Sequence, residues 1–179
     1  VLDDNMEPLP NGEPGTLWFN PASKFAYHND SDKTKEATSK DGKLTTVGDV
    51  GYVDEDGYLY LTDRKAFMII SGGVNIYPQE CEDLLIAHPK IFDAAVVGVP
   101  NTDLGEEVKA VIQTVEGVDA SEDLTVEILE YLSEHLSRQK IPRSIDYKDE
   151  LPRLPTGKLY KRLLRDEYWG DGKNKIIKE

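Results

Sequence analysis

Cysteine is almost absent: Cys81 stands alone among 179 residues, so an internal disulfide is impossible and a cysteine-rich metal site is excluded. A reducing, cytoplasmic compartment is the expectation that follows. Histidine is nearly as scarce. His28, His88 and His135 lie far apart and none has ligand spacing with a second His or Cys, so each reads as an ordinary surface or cap residue and no metal site is expected. Long apolar runs are missing too; a run such as residues 94–99 is far short of the ~18 residues a membrane-spanning helix needs. Positive charge is in deficit, with 21 Lys and Arg against 34 Asp and Glu. The resulting net charge of −13 opposes nucleic-acid binding, which requires a local cation excess, and favours solubility. The amino end, Val1-Leu2-Asp3-Asp4, lacks an initiator Met, a basic start and the apolar core of a signal peptide, which predicts a piece of something longer.

What is present divides near residue 63. Residues 1–62 carry 12 acids and 5 bases, no sustained helical periodicity, and many turn signals such as Asp41-Gly42 and Asp56-Gly57 between short runs of strand formers. This segment reads as all-β and too polar to hold a complete core alone. From Asp63 the pattern alternates. Residues 67–70 suit a buried strand closed by Ser71-Gly72-Gly73, residues 75–77 re-enter extended chain, and Pro78 opens a helix where its missing N–H does no harm. Cys81, Leu84, Leu85 and His88 share one face of that helix. Strands over 94–99 and 108–113 follow, then a helix over about 120–137 with Asp119 and Glu122 at capping-box spacing and Arg138 and Lys140 at its negative end. Beyond Pro142 comes an extended stretch, and 159–169 reads as a last helix. The expected fold class is α+β: a small β-rich part followed by a compact domain with a small central sheet.

Four places could carry chemistry. In Leu151-Pro152-Arg153-Leu154-Pro155-Thr156-Gly157-Lys158, two prolines and a glycine fix a loop that ends on a lysine just before a helix. A compact ammonium there suits an oxyanion or phosphate, although a solvated loop lysine is the blander alternative. Residues 138–168 hold 9 bases and 5 acids, a local reversal of the overall charge that suits an anionic ligand. Ser71-Gly72-Gly73 permits close backbone approach to a ligand and is equally consistent with a tight turn. Asp49, between Gly48 and Val50-Gly51, can accept two ribose hydroxyls or serve as turn chemistry. Arg64, beside Asp63, is either a substrate clamp or half of a local ion pair.

Taken in order, Gly48-Asp49-Val50-Gly51-Tyr52 with Asp54-Glu55-Asp56-Gly57-Tyr58-Leu59-Tyr60, then Asp63-Arg64, then residues 69–78 (IISGGVNIYP), then Leu151-Pro152-Arg153 with Pro155-Thr156-Gly157-Lys158, resemble the acyl-adenylating superfamily, and within it the fatty-acyl and aryl CoA ligases. The resemblance implies a reaction in which ATP and a carboxylic acid give an acyl-adenylate and pyrophosphate, after which the CoA thiol displaces AMP. It places Asp49 on the ribose hydroxyls, Arg64 at the ribose or phosphate, and Lys158 between the substrate carboxylate and the α-phosphate. It also implies that residues 1–63 are the final β subdomain of a large domain and 64–179 a mobile domain. That domain turns about a hinge at Ala66 and presents Ser71, Gly72 and Gly73 to the CoA channel. Magnesium is expected for the intact enzyme, with ligands outside these residues. Its partners are then the upstream large domain, the acid, ATP and CoA.

The departures from the family pattern are Ala66 where Asp or Lys is usual, Phe67 where Asp is frequent, Val47 for Thr, Val74 for Glu and Leu154 for a small polar residue; none removes a proposed functional group. The phosphate loop, the Tyr-Gly-x-Thr-Glu segment and most of the acyl pocket are not in this sequence, so the fragment alone is expected to be inactive. Only 21 residues follow Lys158, which favours a free-standing CoA ligase over a synthetase module. The alternatives are an adenylate-forming enzyme with a carrier-protein acceptor, and a noncatalytic acidic module that retains the fold.

Overall fold

The computed structural model describes residues 1–23 and 25–170, and the chain forms two compact units, Val1–Ala66 and a second beginning at Phe67.

The first unit is built on a three-stranded antiparallel sheet, β1 (Gly15–Thr16), β2 (Asp49–Val53) and β3 (Leu59–Arg64), in the order β1-β2-β3. The Asp56-Gly57 turn joins β2 to β3 as the sequence predicts, with Gly57 at φ +85°. The all-β expectation needs one correction. A short helix, α1 (Ser31–Glu36), is capped by Asp30, whose side chain accepts from the Lys33 N–H at 2.9 Å. At 6 residues and with none buried, it shows no apolar periodicity, and only its cap marks it.

The second unit is α+β. Its five-stranded sheet contains β4 (Ile69–Ser71), β5 (Val74–Ile76), β6 (Ile91–Asn101), β7 (Gly105–Thr114) and β8 (Ser144–Tyr147). The long β6–β7 ribbon is its frame. β7 pairs with β6 along one edge; on the other it meets β4 at Gly105 and runs parallel to β8 from Lys109 to Ile112. Three helices cover the sheet: α2 (Pro78–Ala87), α3 (Glu122–Ser133) and α4 (Lys161–Trp169).

Both faces of the ribbon are apolar, which explains why β6 reads as a nearly continuous hydrophobic run. Ala94, Val96, Ala110 and Ile112 pack with Cys81 and Leu85 of α2 and with Leu124, Ile128 and Leu132 of α3. Ala95, Val97, Val99 and Val111 pack instead with Leu151 and with Leu164 of α4. Leu85, Ile128, Leu132 and Leu164 are wholly buried, each contributing about 1.5–3 kcal/mol through removal from water.

Helix α3 also differs from expectation. Ser121, not Asp119, is its N-cap, accepting from the Leu124 N–H at 3.1 Å. The helix ends at Ser133, so Arg138 and Lys140 lie beyond its last turn and do not complement its dipole there. Lys140 instead pairs with Glu80 of α2 at 2.5 Å. Of the histidines, His28 and His135 are exposed, and His88 is the buried C-cap residue of α2. Among the described residues, no helix is long and apolar enough to cross a membrane.

Candidate active site

In the first unit, antiparallel pairing sets Asp49 opposite Arg64. Arg64 Nε donates to Asp49 Oδ1 at 2.8 Å, leaving the second carboxylate oxygen available for a ligand. A bulge in β3, where the register shifts between Val50 and Gly51, lies just before this pair and leaves Thr62 out of the ladder. Arg64 is more exposed than Asp49, with side-chain exposures of 57% and 26%. A half-exposed cation beside an acceptor suits a ligand carrying both hydroxyl and phosphate groups. Ala66 follows in a single 3-10 turn, Lys65–Phe67, and is the last residue of the unit.

In the second unit, Gly72 and Gly73 form the two-residue turn between β4 and β5, with φ of +57° and +81°. Positive φ at both central positions is what a tight hairpin turn demands, and glycine meets it without steric cost. The turn is also tied down: Gly72 N–H donates to Leu104 O at 2.9 Å, and Ser71 pairs with Gly105. Beside it lies a cleft of ≈ 480 Å³ lined by residues that include Ser71, Gly72, Leu104, Gln139 and the two cations Arg138 and Arg143. This is where part of the positive charge of residues 138–168 gathers, and it suits an anionic ligand.

Lys158 closes a small hairpin. Gly157 N–H donates to Leu154 O and Leu154 N–H donates to Lys158 O, each at 2.8 Å, and Arg153 bridges to Leu159. Pro155 presets the turn and Gly157 takes φ +82°. Lys158 is exposed, and among the described residues no carboxylate lies within ion-pair distance of its ammonium.

The hairpin is clamped from outside. Arg153 pairs through Nη2 with Asp93 of β6, whose side chain is 9% exposed, and donates through Nη1 to Gly157 O at 2.7 Å. Just downstream, Lys161 Nζ pairs with Glu82 Oε2 at 2.6 Å, both side chains at most 10% exposed, while Glu82 Oε1 accepts from Val96 N–H at 2.7 Å. The other end of α4 is held by Asp146, which accepts from Tyr168 OH and Lys109 Nζ, each at 2.7 Å. Burial alone would raise the Asp146 carboxyl, but these two hydrogen bonds together with the Lys109 and Lys148 charges outweigh it and hold its pKa below the usual range.

The structure thus brings Asp49 and Arg64 into contact. Within the second unit it does not bring the Ser71-Gly72-Gly73 turn to Lys158. The turn is anchored at the Gly105 end of the β6–β7 ribbon, opposite Asn101, and the lysine hairpin at Asp93. Asp93 and Asn101 lie eight positions apart on extended chain, about 26 Å along the strand. Sequence reading missed the Asp93, Glu82 and Lys161 contacts, which join residues 60 and 79 positions apart and leave no local signal. Cys81 is buried; that burial, with Glu82 and Glu80 adding to it, pushes its thiol up to about 12, so it is no nucleophile. Among the described residues, no group of three or more His, Cys, Asp or Glu could hold a metal ion.

Comparison with known proteins adds four findings. Residues 80–158 match the family model of the AMP-binding enzyme C-terminal domain. The chain is 38% identical to a long-chain-fatty-acid–CoA ligase of Yersinia pestis, over 93% of this chain and 29% of that protein. It is 39% identical to the fatty acid–[acyl-carrier-protein] ligase ScoC of Streptomyces coeruleorubidus, over 98% of this chain and 33% of that protein. Among solved structures, ATP-bound MatB from Rhodopseudomonas palustris superimposes with a TM-score of 0.81 at 33% identity, over 94% of this chain and 33% of that one. The chain therefore spans about a third of the length of the curated relatives it matches.

Proposed function

Because this chain belongs to the AMP-binding enzymes, whose C-terminal domain it carries, we propose that it is the carboxyl-terminal portion of an ATP-dependent acid–CoA ligase acting on a fatty acid. In the first step a carboxylate oxygen attacks the α-phosphorus of ATP, and the bond to the bridging oxygen of pyrophosphate breaks. Charge then builds on the carboxylate and α-phosphate oxygens, and the Lys158 ammonium, unpaired by any described carboxylate, is available to neutralise it. Asp49 accepts the ribose hydroxyls while Arg64, held through Nε by Asp49 and through Nη1 by the Val47 carbonyl, directs its remaining N–H groups to ribose or phosphate. In the second step the CoA thiolate attacks the acyl carbon and AMP leaves. The Ser71-Gly72-Gly73 turn then borders the pantetheine path, with Arg138 and Arg143 suited to CoA phosphates. Ligands for magnesium would come from outside the described residues.

The observation that carries this reading is that the lysine hairpin and the glycine turn are anchored at different ends of the β6–β7 ribbon, at Asp93 and opposite Asn101, about 26 Å apart along the strand. A domain with two functional edges at opposite ends serves two half-reactions by turning between them, and Ala66 is the proposed pivot. Full-length protein with Lys158→Ala should lose about 100- to 1,000-fold in exchange of labelled pyrophosphate into ATP, the loss typical of removing one transition-state donor. It should still form thioester from supplied acyl-adenylate and CoA. Unchanged exchange would overturn the assignment of Lys158.

A second acceptor reading rests on the acyl-carrier-protein ligase among the relatives. Supplying acyl-adenylate with either CoA or holo-carrier protein separates the two, and CoA thioester formation is the expected result.

A further inference from the structure

We propose that Arg153, braced by Asp93, is a positioning residue for Lys158; the proposal rests on Lys158 being the adenylation lysine. An exposed lysine with no described ion-pair partner has nothing at its charged end to fix it, so its reach is set by the backbone that carries it. Arg153 ties that backbone to β6. Arg153 Nη1 donates to the carbonyl of Gly157, the peptide unit that leads directly into Lys158, at 2.7 Å. The same guanidinium is locked from behind by Asp93 through Nη2. Asp93 is itself fixed, accepting from the Ala94 N–H at 3.0 Å in a nearly buried position. It lies at a bulge where the β6–β7 register shifts between Ile91 and Asp93, the kind of irregularity that re-aims a side chain. A continuous path therefore runs from the β6 backbone through Asp93 and Arg153 to the Gly157–Lys158 peptide.

The tie is not needed to close the hairpin. Three backbone hydrogen bonds already do so, Gly157 to Leu154, Leu154 to Lys158 and Tyr160 to Pro152, and buried Leu151 anchors its base. What the guanidinium adds is orientation relative to the sheet. The planar fork spans carboxylate and carbonyl together, whereas a single ammonium reaches one of them. Displacement of a reacting group by about 1 Å costs on the order of 100-fold in rate, so loosening this tie should be felt in the step that uses Lys158.

The test uses full-length protein carrying Arg153→Ala, Arg153→Lys or Asp93→Asn, with Arg153→Ala also combined with Lys158→Ala. Arg153→Ala is expected to lower kcat for pyrophosphate exchange by about 10- to 100-fold with KM for ATP nearly unchanged, and to spare thioester formation from supplied acyl-adenylate. Arg153→Lys and the isosteric Asp93→Asn should each retain part of the exchange activity. In the Lys158→Ala background, removing Arg153 should cause no further loss, because its effect passes through that lysine. Equal losses in both half-reactions with a lowered melting temperature would make Arg153 merely structural, and a further loss in the double variant would mean that it acts on substrate itself; either overturns the proposal. Lost exchange in Lys158→Ala with full exchange in Arg153→Ala overturns the positioning role alone. Full exchange in Lys158→Ala overturns the assignment of the lysine and the positioning role with it.

Discussion

Arg64 Nε and Asp49 Oδ1 meet at 2.8 Å between residues that face each other at one end of the β2–β3 ladder. The pair is half exposed, so it contributes no more than about 1 kcal/mol to folding. A charge-assisted hydrogen bond to a bound ribose is stronger, about 1.5–3 kcal/mol, which corresponds to roughly a 10- to 100-fold change in binding. Asp49→Ala in the full-length enzyme should therefore raise KM for ATP by about that factor while the unfolding midpoint barely moves. Unaltered ATP dependence would remove Asp49 from the nucleotide site.

Ala66 sits in the single 3-10 turn that closes the first unit. Proline there fixes its own φ and disfavours the helical conformation of Lys65. If Ala66 is the pivot, Ala66→Pro slows thioester formation more than pyrophosphate exchange, expected at about tenfold or greater. Single-turnover assays of the two half-reactions measure this, and equal slowing would exclude the pivot.

The Glu82–Lys161 pair is the most buried ion pair among those described, and its removal should be costly in a particular way. Glu82→Ala strands a buried ammonium and leaves the Val96 N–H without its acceptor, with an expected loss of about 3–5 kcal/mol in chemical denaturation. Replacing both charges, Glu82→Leu with Lys161→Met, should cost less than either single change, because no charge is left stranded. A double variant as unstable as the sum of the singles would contradict this.

Cys81 provides a pH-linked test. Its thiol is pushed up to about 12 by burial in the fold, against about 8.5 in an unfolded chain. Between these values the unfolded state has lost the proton and the folded state still holds it, so the site's contribution to stability is full below about pH 8.5 and falls as pH rises toward 12. Cys81→Ala should flatten this alkaline decline. At pH 8, alkylation of Cys81 should proceed only on unfolding, and rapid labelling of native protein would place the thiol at the surface.

Much of the second unit is legible in the sequence because its signals are local. Pro78 announces α2, the Cys81, Leu84, Leu85 and His88 spacing marks its face, and the unbroken run at 94–99 marks a strand buried on both sides. The helix cap at Ser121 escaped because Asp119 has the same chemistry two residues earlier, and backbone conformation alone chooses between them. Helix α1 escaped because its 6 residues, none of them buried, carry no periodicity. Of the site, Asp49, Arg64, the glycine turn and Lys158 stand in recognisable motifs. The residues that hold the lysine hairpin and the start of α4 in place do not: Asp93 and Glu82 read as ordinary acids until folding sets them against Arg153 and Lys161.

The alternation of β6 between two clusters has a consequence for how this domain tolerates change. Ala94 and Val96 share neighbours with α2 and α3, whereas Ala95 and Val97 share them with α4 and Leu151. Substitutions within one layer are then epistatic through common neighbours, while those on opposite faces combine close to additively. The layer beneath the lysine hairpin can accumulate compensating changes in volume as a group of its own, with the larger layer under α2 and α3 evolving almost independently beside it.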